Sequence, residues 1–600
     1  MVSMNRKNII GIVICLLITF ISSYFANQID RDFGRIDVTT VSFMTEENQP
    51  MVAKLYRPIS ATAENPKPAL LALHGYQSDK EATTTFGTLE LAKRGFVVLA
   101  IDHFGHGFST KLPASNKNIS GANNGYQYLK SLNFVDKNNI GIFGHSTGAL
   151  NAIRVAKLNP DHKAVNGLSS NGGDMELNNY LLTQGLYEEI PPYRERTFPV
   201  KDLNHNANRL KAFGLEENDT LQWDHTYGNF ADGSARRAAM VEGTHLGVMV
   251  AEHSNKEAIL WFNQTLQNGA QGEDWIDPEQ QTYWYKEFAG LFALAGAIIS
   301  ALFLANGLLK TTYFNAITQK VTEKTTVSGG KWLQFAITNI VITMILYPIF
   351  TQWGGANEPI ASVIPFMPLE MGNGIILWLL VSAVINYILF AIWKSKTTIS
   401  LREFGVLTNN YDITTQALIL RSLLLAGILV AWLYAIATFV YTYWGTELRF
   451  LWPLLKPLTA ERMDLFPIYW LLILFFFSFN GLVLNVQMKQ RNGANFTSTL
   501  IGWTIKASLF AVGGLVILWF AHFIPAFMQI GPGFELIGLP QFGGRWMMML
   551  VVIIPQFIVF ITLNYWCYLK TGYVYLGVFF TSMLMTWIMV GGQVIGRFLA

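Results

Sequence analysis

From Phe288 onward, apolar runs of about twenty residues follow one another to the end of the chain, and no other feature limits the fold so strongly. They fall at approximately 288–309, 332–350, 375–393, 418–441, 466–486, 501–523, 546–566 and 573–595. A helix needs about 20 residues to cross a hydrocarbon core of ~30 Å, so each run suits one membrane span. A further run, 9–26, follows Arg6 and Lys7. Its apolar core exceeds the ~7–15 residues of a cleaved signal peptide, and Tyr24 stands where cleavage wants a small residue. The expectation is an uncleaved signal-anchor helix within 1–33, with cleavage as the alternative. Only 14% of the residues are charged, against ~25% in soluble domains. About nine spans are therefore expected, give or take one.

Basic residues give these spans a direction. Lys310, Lys320, Lys324 and Lys331 share one loop, Lys394, Lys396 and Arg402 a second, and Lys489 and Arg491 a third, with Lys570 beyond. The alternate loop 352–373 has no Lys or Arg. Positive charge is retained in the cytoplasm, which places the N-terminus inside and the segment after the first helix outside. The loop 444–465 dissents with Arg449, Lys456 and Arg462, although Glu447, Glu461 and Asp464 accompany them. A net charge of +3 is too small to argue for nucleic acid. Cys15 and Cys567 both lie in or beside apolar runs and carry no disulfide framework.

Between the first run and Phe288 the composition is that of a soluble domain, expected over 34–270 with a linker at 271–287 before the bundle at 288–600. "RIDVTTVSF" and "PMVAKLYRP" alternate as half-buried strands around the turn "MTEENQ". "PALLAL", "FVVLAI", the stretch before Ser146, "AVNGLSS", "NYLLTQG" and "ARRAAMV" then read as buried strands, with helical segments among them. Strands alternating with helices predict an α/β domain, a mostly parallel sheet with helices on both faces. Gly144-His145-Ser146-Thr147-Gly148 sits between a strand and a helix, the setting of a sharp turn that thrusts a serine hydroxyl outward.

Three motifs in order at strand ends resemble the α/β-hydrolase superfamily: His74-Gly75, "DHFGHGFS" from Asp102 to Ser109, and the turn around Ser146. The resemblance covers about 34–266, under half the chain. It implies Ser146 as nucleophile, with His245 after the last strand taking its proton. His253 competes but stands at the entry of the final helix. A carboxylate must orient the histidine. The family's position after the seventh strand falls on Glu188, with Asp174 as the rival acid and Glu189 as a lesser one. The backbone N–H groups of Tyr76 and Thr147 are the expected oxyanion hole.

The remaining chemistry is sparse. His103, His106 and His145 read as structural or solvated, Asp102 as stabilising its turn, and no metal-ligand spacing, Walker sequence or dinucleotide fingerprint occurs. No cofactor is expected. The interval 171–178 has no room for a large lid, leaving 191–236 to cap an otherwise open site. Arg421, Lys506 and His522 lie near span ends, so the bundle reads as an anchor that presents substrate. The expected activity is cleavage of a carboxylic ester, lipid or cell-envelope, by a multi-pass membrane enzyme outside the cytoplasm, through an acyl-enzyme. Acyl transfer by the same residues, or a transporter or assembly factor with a non-catalytic domain, stay open. The bilayer and the ester are the partners to expect.

Overall fold

The computed structural model describes residues 5–46, 48–110, 119–170, 172–190, 195, 197–354, 367–408 and 413–596. Asn171, 191–194 and 196 of the expected cap, and 355–366 of the lysine-free loop lie outside the described residues.

Strands β1 (Ile36–Met44), β2 (Pro50–Pro58), β3 (Lys67–Leu73), β4 (Val97–Ile101), β5 (Val135–His145), β6 (Ala164–Leu168), β7 (Tyr180–Gly185), β8 (Thr226–Tyr227) and β9 (Arg236–Val241) form one sheet. Its order is β1-β2-β4-β3-β5-β6-β7-β9-β8. The pairs from β4 through β9 are parallel, while β1–β2, β2–β4 and β8–β9 are antiparallel. Strands buried on both faces read as continuous apolar runs, and all five residues of β4 are buried. Helices α1 (Arg6–Asp30), α2 (Thr88–Ala92), α3 (Ala122–Ser131), α4 (Thr147–Leu158) and α5 (Glu252–Leu266) come next in the account. Of these, α3 and α4 cover one face of the sheet, and α2 and α5 the other. The mostly parallel sheet with helices on both faces was legible from the alternation of strands and helices.

The helical part holds α6 (Tyr283–Leu308), α7 (Gly329–Gly354), α8 (Glu370–Ser395), α9 (Thr415–Trp444), α10 (Ala460–Leu482), α11 (Phe496–Ala511), α12 (Gly513–Phe527), α13 (Leu550–Thr571) and α14 (Tyr575–Gly592). Counting α1, eight helices are long and apolar enough to cross a membrane among the described residues. The pair α11–α12, bent by 56°, makes a ninth if it is one span. α1 lies against α6, where Thr19 Oγ1 donates to the carbonyl of Ala293 at 3.2 Å. A Cβ on Gly296 would stand 2.6 Å from Thr19 Oγ1, so only glycine allows that approach. α1 is therefore packed into the bundle rather than hanging from it.

The loops gather at two ends. At one, Gln319 N donates to Thr571 O at 2.8 Å, Thr326 N to Lys489 O at 3.2 Å, and Lys324 pairs with Glu403 at 2.7 Å. The other end meets the sheet domain. There Ile595 N donates to Gly105 O at 2.8 Å and Val594 N to Gln77 Oε1 at 3.1 Å. The basic residues of the dissenting loop lie at this end, in buried contacts. Lys456 pairs with Asp79, Arg449 with Glu287 at 3.2 Å, and Arg462 donates to the carbonyls of Gly105 and Gly107. Asp30, closing α1, takes Lys54 and Lys286 at 2.8 Å each, and Glu81 shares both lysines. The expected linker 271–287 is clamped as well, since Arg94 donates to the carbonyls of Ile276, Asp277 and Gln280.

Candidate active site

Four loops at the carboxyl ends of parallel strands converge: those after β3, β5, β7 and β9. Open parallel sheets place their sites at this edge. Ser146, between β5 and α4, has φ +55° and ψ −116°, a strained backbone for a residue with a Cβ. Its neighbours make the turn fit. A Cβ on Gly144 would lie 2.5 Å from the backbone of Gly148, and one on Gly148 2.2 Å from Leu73 O. Ser146 N is fixed by donating to Leu168 O at 2.9 Å.

His245 follows β9 through the turn at Gly243, and its Nε2 lies 2.8 Å from Ser146 Oγ. Its Nδ1 is hydrogen-bonded to Glu188 Oε1. Glu188 sits in the loop after β7, and its other oxygen accepts from the side chain of Gln184 and from Gly185 N at 3.2 Å. Burial pushes the Glu188 carboxyl up to about 7, against the pull of the Gly185 N–H. Asp174 is no member of this relay and pairs instead with Lys157 on the surface at 2.6 Å. Glu189 contacts the backbone of His245, accepting its N–H at 3.0 Å. Burial lifts the Glu189 carboxyl to about 8. His253 is 49% exposed and faces Glu257 across one helical turn.

His145 proves to be a brace. Its Nε2 donates to the carbonyl of His245 at 2.8 Å, and burial lowers its pKa to about 3, so the ring is neutral. The acceptor is a carbonyl, which assigns the proton to Nε2. Its place inside the elbow was visible in sequence, but nothing there indicated the reach across to β9. Asp102 does fasten its turn, accepting from Lys80 N and Phe108 N at 2.8 Å each and pairing with Lys80 Nζ at 2.8 Å.

Tyr76 and Thr147 both line a cavity of about 440 Å³ that contains Ser146 and His245. Gly75 brings the β3 loop close, since a Cβ there would be 2.9 Å from His145 Nδ1. Behind it, His74 Nδ1 donates to Gly75 O at 2.7 Å while Nε2 accepts from His103 N at 3.1 Å. The Tyr76 hydroxyl donates to Glu370 of α8, so the bundle holds this loop too.

The roof of the cavity differs from the sequence expectation of an open site capped from 191–236. Ile190 reaches the cavity, but none of the described residues between 195 and 236 lines it. Gln352, Glu370, Met371 and Trp452 cover it instead, with the segment from Pro540 to Met549. The capping surface comes from the bundle because the chain between β7 and β9 packs elsewhere: Arg209, for instance, is tied to Glu195 and to Ser170 O.

Residues 64–208 match the family model of serine aminopeptidase, S33. Among solved structures, a hypothetical protein of Pseudomonas aeruginosa aligns at 23% identity, over 24% of this chain and 44% of its own, with a TM-score of 0.21. A variant epoxide hydrolase of Vigna radiata aligns at 20% identity, over 22% of this chain and 39% of its own, with a TM-score of 0.19. An esterase of Pyrococcus furiosus aligns at 16% identity, over 38% of this chain and 91% of its own, with a TM-score of 0.28. This chain thus spans less than half the length of the first two. None of the curated proteins matches the sequence. Scores this low leave the fold to the sheet order and the family match. On those two grounds, the sheet-bearing part of this chain has the α/β-hydrolase fold and is joined to a bundle of long apolar helices, and its residues 64–208 resemble the S33 serine aminopeptidases.

Proposed function

We propose that this chain is a multi-pass membrane serine hydrolase that cleaves a carboxylic ester through a Ser146–His245–Glu188 triad and an acyl-enzyme. The observation that carries the reading is the unbroken relay from Glu188 through His245 to Ser146 Oγ. An unassisted serine hydroxyl is a poor nucleophile. Here Nε2 of His245 takes the hydroxyl proton as Oγ attacks the carbonyl carbon, and Glu188 balances the imidazolium charge. The N–H groups of Tyr76 and Thr147 receive the developing oxyanion. His245 then returns the proton to the leaving alcohol, and water repeats the sequence to free the acid. A domain that only bound ligand would have no use for a buried, hydrogen-bonded set of three.

The catalytic domain lies outside the cytoplasm in this reading. Support comes from the loops holding Lys320, Lys324 and Lys489, which gather at the end of the bundle opposite the sheet domain. The test of the activity is labelling of the purified protein with a fluorophosphonate probe. Ser146→Ala should abolish labelling and cut ester turnover by roughly 10³-fold or more. Full labelling of that variant would remove Ser146 from the mechanism.

A further inference from the structure

Beside the active-site cavity lies a second one of about 560 Å³, and the two share Leu246, Met249, Trp452 and Met548 as walls. We infer that this second cavity is the seat of the substrate's hydrocarbon chain, so that the ester cleaved is that of a long-chain fatty acid drawn from a lipid. The inference rests on Ser146 being the nucleophile.

The lining is almost wholly apolar, with Glu189, Thr244 and Gln556 the polar residues on it. Its long wall is one side of α13. Val551, Val552, Pro555, Gln556, Val559, Phe560 and Leu563 all border it, spaced by one and three residues in turn. That spacing is a single helical stripe, and from Val551 to Leu563 it runs about 18 Å along the axis at 1.5 Å per residue. Two of its members are open: Val551 is 50% and Val559 43% exposed. Leu294 and Ile298 of α6, and Leu584 and Ile588 of α14, face it. An apolar cavity of this size gains nothing from water, which needs two to four polar partners. A hydrocarbon chain fits it in both chemistry and shape. Across the shared walls lies the cavity of Ser146, which is also lined by Gln352, Glu370, Gln541 and Arg545, residues that suit the polar remainder of the lipid. The bundle thus supplies half of the substrate site, and the tail reaches it from among the apolar helices.

The experiment uses the full-length protein in detergent and a series of p-nitrophenyl esters from acetyl to palmitoyl. Each methylene that enters the cavity should raise kcat/KM by up to about fourfold. Val559→Trp, which fills the stripe, should lower the palmitoyl-to-butyryl ratio of kcat/KM at least 100-fold. Ile505→Trp, on an outward face of α11, should leave that ratio as it is. Leu294→Phe is a second filling variant should Val559→Trp not fold. Independently of turnover, a palmitoyl ester with a mid-chain diazirine, bound to Ser146→Ala protein, should crosslink within 551–563 or 584–588. Preference for long chains with crosslinks there establishes the seat. Butyryl turnover with no gain from chain length, or crosslinks elsewhere, overturns the tail site and leaves the hydrolase reading standing. Absence of fluorophosphonate labelling at Ser146 in the wild type overturns both.

Discussion

Replacing Lys456 by Met should damage the site although Lys456 touches no substrate. Lys456 Nζ pairs with Asp79, and the two side chains are 2% and 1% exposed. Asp79 caps the turn that follows the β3 loop, accepting Glu81 N at 3.1 Å, three residues beyond Tyr76. Burial alone would push its carboxyl up, but Lys456, Lys80 and Arg449 outweigh that and hold it well below the usual carboxylate range. Removing one partner of a buried pair leaves an uncompensated charge, a loss of ~3–5 kcal/mol. If the β3 loop relaxes to relieve it, the N–H of Tyr76, the proposed oxyanion donor, is displaced, and loss of such a donor lowers kcat by about 10²–10³. The assay is the rate of fluorophosphonate labelling and of butyryl ester turnover, at a temperature well below unfolding of the variant. The double variant Asp79→Asn, Lys456→Met removes the charge as well as its partner and should recover much of the rate. A Lys456→Met protein as fast as wild type, or a double variant as slow as the single one, would refute the reasoning.

Three further outcomes follow from the same geometry. Glu188→Gln should cripple turnover while Asp174→Asn, in its surface pair with Lys157, stays silent; the opposite pattern moves the acid to Asp174. Glu189 has its folded pKa raised to about 8 by burial, so the folded state holds a proton that the unfolded chain gives up. Its contribution is therefore fully present below pH ~4.5 and is lost as pH rises through 8, by up to about 1.4 kcal/mol per unit. Glu189→Gln should accordingly gain in Tm over wild type between pH 5 and 8, and a pH-independent difference would contradict this. Finally, a thiol reagent that cannot cross membranes should label Glu64→Cys but not Thr325→Cys in intact cells, both positions being exposed and both native cysteines buried. Labelling at Thr325→Cys alone would invert the topology.

The parts of this molecule that sequence displayed are those whose physics is local. A parallel strand buried on both faces must be apolar there, so β4 and the buried stretches 69–73 of β3 and 140–143 of β5 announce themselves. The turn at Ser146 needs glycines two residues to either side, because the backbones of Gly148 and Leu73 leave no room for a Cβ. Glu188 and His245 stand at the ends of such strands, and the structure brings both to Ser146. What sequence concealed is contact across the chain. Tyr76 meets Glu370, Gln77 meets Val594 and Asp79 meets Lys456, over separations of 294, 517 and 377 residues. No periodicity records such pairs. For the same reason Arg449 and Lys456 read as anomalies of charge distribution, when their partners are buried carboxylates on distant elements. The roof over the site was hidden likewise, because each apolar helix has the same sequence signature whether it faces outward or covers the cavity at Ser146.

Asp30 also sets a timetable for biosynthesis. Its carboxylate ends α1 and is neutralised in part by Lys286, which is made about 250 residues later, roughly ten to fifty seconds at ~5–20 residues per second. Throughout that interval the nascent chain carries a helix whose packing surface on α6 does not yet exist. Lys54, on β2, is made early and meets Asp30 while this first helix still lacks Lys286. The finished joint therefore closes late: it needs Lys286 and then Trp444 and Gly445, whose carbonyls accept from Asn27 and Lys54. A ribosome stalled or a chain truncated before Lys286 would leave the first helix with half of its counter-charge, a defined target for quality-control proteases.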